Sequence, residues 1–132
     1  MIEVEVFGAE LAGDPPPLAE IERLCILAAG SAGLQDGHLA IEFVGAERMA
    51  ALNGEYRGSP IVTDVLSFPI DGVASLSHAD REIGDVMICP EHTADLREAV
   101  VHGVLHLVGM DHETDAGEML ALQRELLARE SA

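Results

Sequence analysis

Three histidines fall within the eleven residues HGVLHLVGMDH, at positions 102, 106 and 112. Residues four apart on an α-helix project from one face, so His102 and His106 can aim two imidazoles at a common point. Gly109 stands between the second and third histidines, and glycine commonly takes the left-handed position that closes a helix. A chain that reverses there can swing His112 back to the same point. Three neutral imidazoles with a fourth position left open make a catalytic type of zinc site. The spacing H-x-x-x-H-x-x-G-x-x-H also occurs in one class of zinc proteases. The negative end of the helix dipole favours a cation at this place too. The plainer alternatives are a purely structural metal site, or two helix histidines and an unrelated one in a turn.

Zinc proteases carry a glutamate after the first histidine, and it serves as their general base. This chain has Gly103 there. Peptide hydrolysis by that route is therefore not expected, and the missing side chain suggests room for a large substrate beside the ion. Asp111, next to the third histidine, could orient a ligand imidazole or simply make a turn. Glu113 is a further nearby acid. His38, His78 and His92 have no partner spacing and read as structural or solvent-facing.

These residues need elements to position them. Ile2 to Phe7 alternates apolar and acidic residues, as a half-buried strand does. After the breaker Gly13–Pro17, the apolar residues Leu18, Ile21, Leu24, Cys25 and Ala28 recur at helical spacing, and that helix should end near Gly30 to Gly33. His38 to Val44 reads as a second strand. Ala46 to Leu52 reads as a short helix closed by Asn53-Gly54, followed by a loop. Val62 to Phe68 is strand-like and stopped by Pro69, with a polar loop over 71–83. Gly84 to Cys89 is a fourth strand. Glu91 to Val108 reads as the metal-site helix, and Thr114 can cap a last helix carrying Met119, Leu122, Leu126 and Leu127. The order β-α-β-α-β-β-α-α predicts an α+β fold, a mixed sheet of about four strands flanked by helices.

The bulk numbers limit the class. The 132 residues, 48% hydrophobic, suit a single domain over 1–132. No segment has the ~18 consecutive apolar residues of a membrane span, and the acidic start MIEVEVFGAE is unlike a signal peptide, so a cytoplasmic location is expected. Cys25 and Cys89 then read as free core thiols. The formal net charge is -17, with 24 acids against 7 bases, all arginine. Broad nucleic-acid binding needs a basic face, so this balance argues against it but permits a local arginine-lined site. It also fits a preference for arginine codons or a salty cytoplasm.

The histidine segment, together with LNGEYRG (52–58), TDVLSFP (63–69) and GDVMIC (84–89) in that order, resembles the YbeY family of bacterial metal-dependent endoribonucleases. The resemblance covers about residues 40 to 125. It implies one Zn2+ held by His102, His106 and His112, and single-strand-specific cleavage of RNA in ribosomal RNA maturation and small-subunit quality control. It also implies that Arg57 is the cationic catalytic residue of the cleft. One departure stands out: only twelve residues separate Cys89 from His102, fewer than the family usually has, so the walls of the cleft should differ.

The chemistry so implied needs a nucleophile, charge stabilisation and a proton donor for the leaving group. Arg57 would clamp the phosphate with its planar fork. Asp64, Asp85 and Asp111 are the candidates for proton transfer, and the nucleophile is either a water or the RNA's own 2′-hydroxyl. The expected partner is single-stranded rRNA presented on ribosomal particles, because free RNA is repelled by so acidic a protein. Ribosomal proteins or a ribosome-associated GTPase are further candidate partners; a membrane and DNA are not. The alternatives are a zinc-dependent peptidase or other hydrolase, a non-catalytic zinc module binding ribosomal proteins, and an acidic α/β domain with incidental histidines.

Overall fold

A computed structural model describes residues 2–58, 64–70 and 82–131, apart from the side chains of Arg57 and Ser131. Strands β1 (Ile2–Phe7), β2 (Gly37–Phe43), β3 (Val65–Pro69) and β4 (Glu82–Ile88) form one sheet in the order β1-β2-β4-β3. β1, β2 and β4 run parallel; β3 pairs antiparallel with β4 and forms one edge. The helices are α1 (Leu18–Gly30), α2 (Ala46–Arg57), α3 (Leu96–Leu107) and α4 (Glu118–Ser131). The expected α+β class and the order of elements are what the structure has. Residues 62, 63 and 71–81, including His78 and Arg81, lie outside the described residues.

The apolar periodicity of α1 places Ile21, Leu24, Cys25 and Ala28 in the core. They meet alternate residues of the sheet, Leu39, Ile41 and Phe43 of β2 among them, and the buried faces of α3 and α4. Each fully buried Leu, Ile or Phe contributes about 1.5–3 kcal/mol. A smaller cluster on the other side of the sheet, built on Val44, Met49, Leu66 and Cys89, seats α2 against β3 and β4. Both cysteines are free and buried, as expected, and burial pushes the Cys25 thiol far up. No helix among the described residues is long and apolar enough to cross a membrane.

β4 begins at Glu82, two residues inside the expected loop, and β3 includes Pro69. Three helix boundaries also differ from expectation. α2 does not stop at Asn53-Gly54: Asn53 is buried, and the helix runs on to Arg57, where Gly58 at φ 72° ends it with its N–H on the Asn53 carbonyl. The metal-site helix does not begin at Glu91. Pro90–His92 is a separate 3-10 turn, Thr93 is extended, and Asp95 caps α3 by accepting from the Arg97 and Glu98 amides. The short link into α3 is therefore a tight turn and a cap rather than extra helix. Thr114 is not the cap of α4. Its hydroxyl donates to the Asp111 carbonyl, while the Asp115 carboxylate accepts from the Gly117 and Met119 amides. Those two amides hold the Asp115 carboxyl below the usual range.

Candidate metal centre

α3 packs across β3 and β4 closely enough to leave no space at position 103. A Cβ on Gly103 would lie 2.3 Å from Val86 Cγ1 and 3.2 Å from Val65 Cγ1. The Ser67 hydroxyl also donates to the Gly103 carbonyl at 2.8 Å, tying edge strand β3 to the helix. The expectation that Gly103 makes room for substrate is thus wrong. The position faces the sheet, and glycine is there so that helix and strands can meet.

The turn after α3 is a Schellman motif. The Gly109 N–H donates to the His106 carbonyl and the Met110 N–H to the Leu105 carbonyl, with Gly109 at φ 98°. A side chain at that φ is strained, so the glycine is required. The reversal does two things. It places the Met110 carbonyl 2.9 Å from His106 Nδ1, and it returns His112 to the other two rings. The ring centroids of His102, His106 and His112 lie 4.7, 4.9 and 5.3 Å apart pairwise. One nitrogen from each ring falls within 4.8 Å of the others.

Hydrogen bonding decides what those nitrogens can do. His102 Nδ1 lies 2.8 Å from Gln123 Oε1, and Gln123 is buried on α4. Both Nδ1 atoms therefore face acceptor oxygens and must donate. In neutral rings that leaves the two Nε2 atoms as lone-pair acceptors, and they face each other at 3.2 Å. Two opposed lone pairs repel unless a positive charge satisfies both. Burial, and then the neighbouring His102, push the His106 imidazolium down, which disfavours a proton in that role. An all-imidazole donor set, with the His102 and His106 tautomers fixed as Nδ1–H, suits a borderline divalent cation, so these residues fit a metal ion.

The other named residues divide. The three histidines open on a cavity of about 590 Å³ that also reaches Asp64, Asp111 and Glu113. Asp111 is in a turn, its carboxylate accepting from the Glu113 amide. The Asp64 carboxylate accepts from its neighbour's amide at Val65. Asp85 does not line the cavity: it alternates with Gly84 and Val86, whose faces meet α3, and so belongs to the opposite sheet face. Arg57 ends α2 next to Tyr56, which lines the cavity, and the Arg57 side chain is outside the described set. His38 sits between Glu5 and Glu82, and His92 is exposed in the turn before α3.

Sequence reasoning missed Gln123 and the Met110 carbonyl. For Gln123 there was a signal, a lone amide among Met119, Leu122 and Leu126 on the buried face of α4. A backbone carbonyl leaves none beyond the glycine that aims it.

The family profile described as Endoribonuclease YbeY matches residues 19–131. This chain belongs to the YbeY family of endoribonucleases. An endoribonuclease YbeY from Macrococcus caseolyticus is 32% identical over 96% of this chain and 94% of its own. One from Alkalilimnicola ehrlichii is 38% identical over 96% and 85%. The solution structure of a Thermotoga maritima protein shares the fold, with a TM-score of 0.55 at 22% identity over 96% of this chain and 88% of that one. The YbeY match spans all of α1 but its first residue and the whole of α2 to α4, so the histidines, Gln123 and the edge strand all lie inside it.

Proposed function

We propose that the whole chain acts as one zinc-dependent, single-strand-specific endoribonuclease unit of the cytoplasm, working in ribosomal RNA maturation and small-subunit quality control. The observation that carries this reading is the opposed pair of Nε2 atoms, 3.2 Å apart with both Nδ1 atoms already committed. His102, His106 and His112 would hold the ion. When bound, zinc polarises a phosphoryl oxygen and lowers the pKa of a water toward ~7.

The chain's own groups supply the rest. Arg57 clamps the scissile phosphate, since a guanidinium matches two phosphate oxygens and stays charged at any working pH. Asp64 and Asp111, which reach the cavity, would pass a proton to the leaving oxygen; Asp85, on the opposite sheet face, would not. Gly103 counts against a peptidase, because a glutamate there would have to enter the space held by Val86.

The net charge of -17 fits rRNA presented on a ribosomal particle, its ribosomal proteins or an associated GTPase supplying the cationic surface that this protein lacks. Arg23, Arg48, Arg97 and Arg129 are paired with glutamates, which leaves still less positive charge to attract free RNA.

Metal analysis together with cleavage of single-stranded RNA tests the reading. His106→Ala should lose the bound zinc and its cleavage. Arg57→Ala should keep the zinc and lose at least ~100-fold in rate, as expected when a charge-stabilising group is removed. Wild-type cleavage by Arg57→Ala would remove the clamp assignment, and wild-type protein that binds no metal would remove the zinc.

A further inference from the structure

We infer that Tyr56 is the base-stacking platform of this site, a positioning residue that holds one unpaired nucleobase next to the cleaved phosphate. The inference deepens the endoribonuclease reading and rests on it. The cavity does not stop at the histidines. It follows edge strand β3 from Val65 to Pro69 and reaches Tyr56 at the end of α2. Val65 and Ser67 face α3, while Leu66 and Phe68 face the α2 side. A chain lying in the cavity thus passes over the sheet edge, with the three imidazoles on one side and Tyr56 on the other.

Tyr56 is 62% exposed. It is the most exposed of the large hydrophobic side chains among the described residues, and it is the one aromatic ring of these that borders the cavity with a face left open. Its ring is not loose: it meets Phe68 edge to face, with centroids 4.8 Å apart. Phe68 belongs to the strand that Ser67 fastens to the metal helix. The ring's position is therefore coupled to that of the histidines, and little ordering cost remains when a base stacks on it.

Charge explains why such a contact is needed. The carboxylates that reach the cavity, Asp64, Asp111 and Glu113, repel phosphate, and the whole chain carries -17. Most proteins that bind single strands draw much of their affinity from phosphate pairing. Here a larger share must come from contacts insensitive to charge, and stacking of a base on an aromatic ring is worth about 1–3 kcal/mol and tolerates any sequence. The cavity volume of about 590 Å³ lies within the usual range for small-ligand sites, ~300–1,000 Å³, and suits a nucleotide. Stacking also discriminates by structure. A paired base inside a duplex has both faces covered, whereas an unpaired one offers a face to Tyr56. The ring would thus help to set single-strand selectivity.

The chain has one tyrosine and no tryptophan, so its intrinsic emission reports Tyr56 alone. The zinc-loaded protein is titrated with a 12-nucleotide single-stranded RNA of mixed sequence and with its blunt duplex, with correction for RNA absorbance. The single strand should quench the emission; the duplex should not. In cleavage assays Tyr56→Leu should raise KM about 5- to 150-fold, the factor equivalent to one stacked base, with the loss falling on KM more than on kcat. Tyr56→Phe, which keeps the ring face, should recover most of that loss. Unaltered emission at saturating single strand, or a Tyr56→Leu KM within twofold of wild type, overturns the inference. If wild type quenches but never cleaves, the nuclease reading fails while the platform stands. If it cleaves without quenching, only the platform fails.

Discussion

The protein places histidine in two opposite environments. At His38, on the sheet face away from α1 and α3, both ring nitrogens meet carboxylates: Glu82 Oε2 at 2.9 Å and Glu5 Oε1 at 2.5 Å. At His102 and His106 the Nδ1 atoms meet neutral acceptors, an amide and a backbone carbonyl, and the Nε2 atoms are left facing each other. Two carboxylates around one ring stabilise a bound proton. Neutral acceptors behind two rings fix the tautomer without supplying the balancing charge, so the cluster suits a cation from outside. The difference lies in what stands behind the ring, which makes the orienting groups as informative as the histidines themselves.

Gln123→Leu should break the comparison most severely on the metal side. It removes the acceptor behind His102 while keeping a buried side chain of similar size. Loss of such an orienting group typically costs 10–100-fold in metal affinity, measurable by competition with a chromophoric chelator. Gln123→Glu sharpens the point, because it puts a carboxylate behind one ring as at His38. If Gln123→Leu binds zinc as tightly as wild type, the amide does not set the His102 tautomer.

Gly103→Ala tests the seating of α3, which carries two of the three metal-site rings. The added methyl would overlap Val86, a wholly buried side chain, and push α3 off the sheet. Overpacking of this kind costs about 1–3 kcal/mol, against a gain of up to ~1 kcal/mol from alanine's better helix propensity. The expected net result is a lower denaturation midpoint together with weaker metal binding. Val86→Ala in the same chain should restore part of both, because it vacates the space the methyl needs. An unchanged midpoint in Gly103→Ala would mean that helix and sheet separate freely.

Much of this was legible in the sequence because it depended on periodicity and on glycine. The spacing of His102 and His106 puts both on one helix face, and Gly109 marks the reversal that returns His112. The order of elements along the chain and the α+β class followed from alternation and from apolar spacing, whereas the sheet order β1-β2-β4-β3 did not. What was not legible depended on contacts between distant segments. Asn53-Gly54 looks like a stop, yet burial of Asn53 carries α2 through it and Gly58 ends it instead. Glu91 looks like the start of a helix, yet Asp95 is the real cap, its carboxylate accepting from the Arg97 and Glu98 amides, a local pattern masked by the apparent continuity of 91–101. Gly103 looked like an opening for substrate because the sequence does not say which side of a helix faces a sheet. Gln123 lies 21 residues beyond His102, and nothing local connects them.

The smallest expected effect sharpens the other half of the comparison. The hydrogen bond that His38 donates to Glu82 comes first in raising the His38 pKa above its ordinary value, and Glu5 adds to it. A group whose pKa is raised on folding stabilises the fold while it is protonated. The contribution should be fully present below the unfolded value of ~6.5, as long as the glutamates stay ionised, and lost as pH rises through the higher folded value. Exposed ion pairs are typically worth about 0.2–1 kcal/mol, and Glu5 and Glu82 are more than half exposed. Urea denaturation of wild type and His38→Asn should therefore differ by up to that amount near pH 5.5 and converge near pH 9. A gap of equal size at both pH values would mean that packing holds His38, and that the contrast with the metal-site rings is not one of charge.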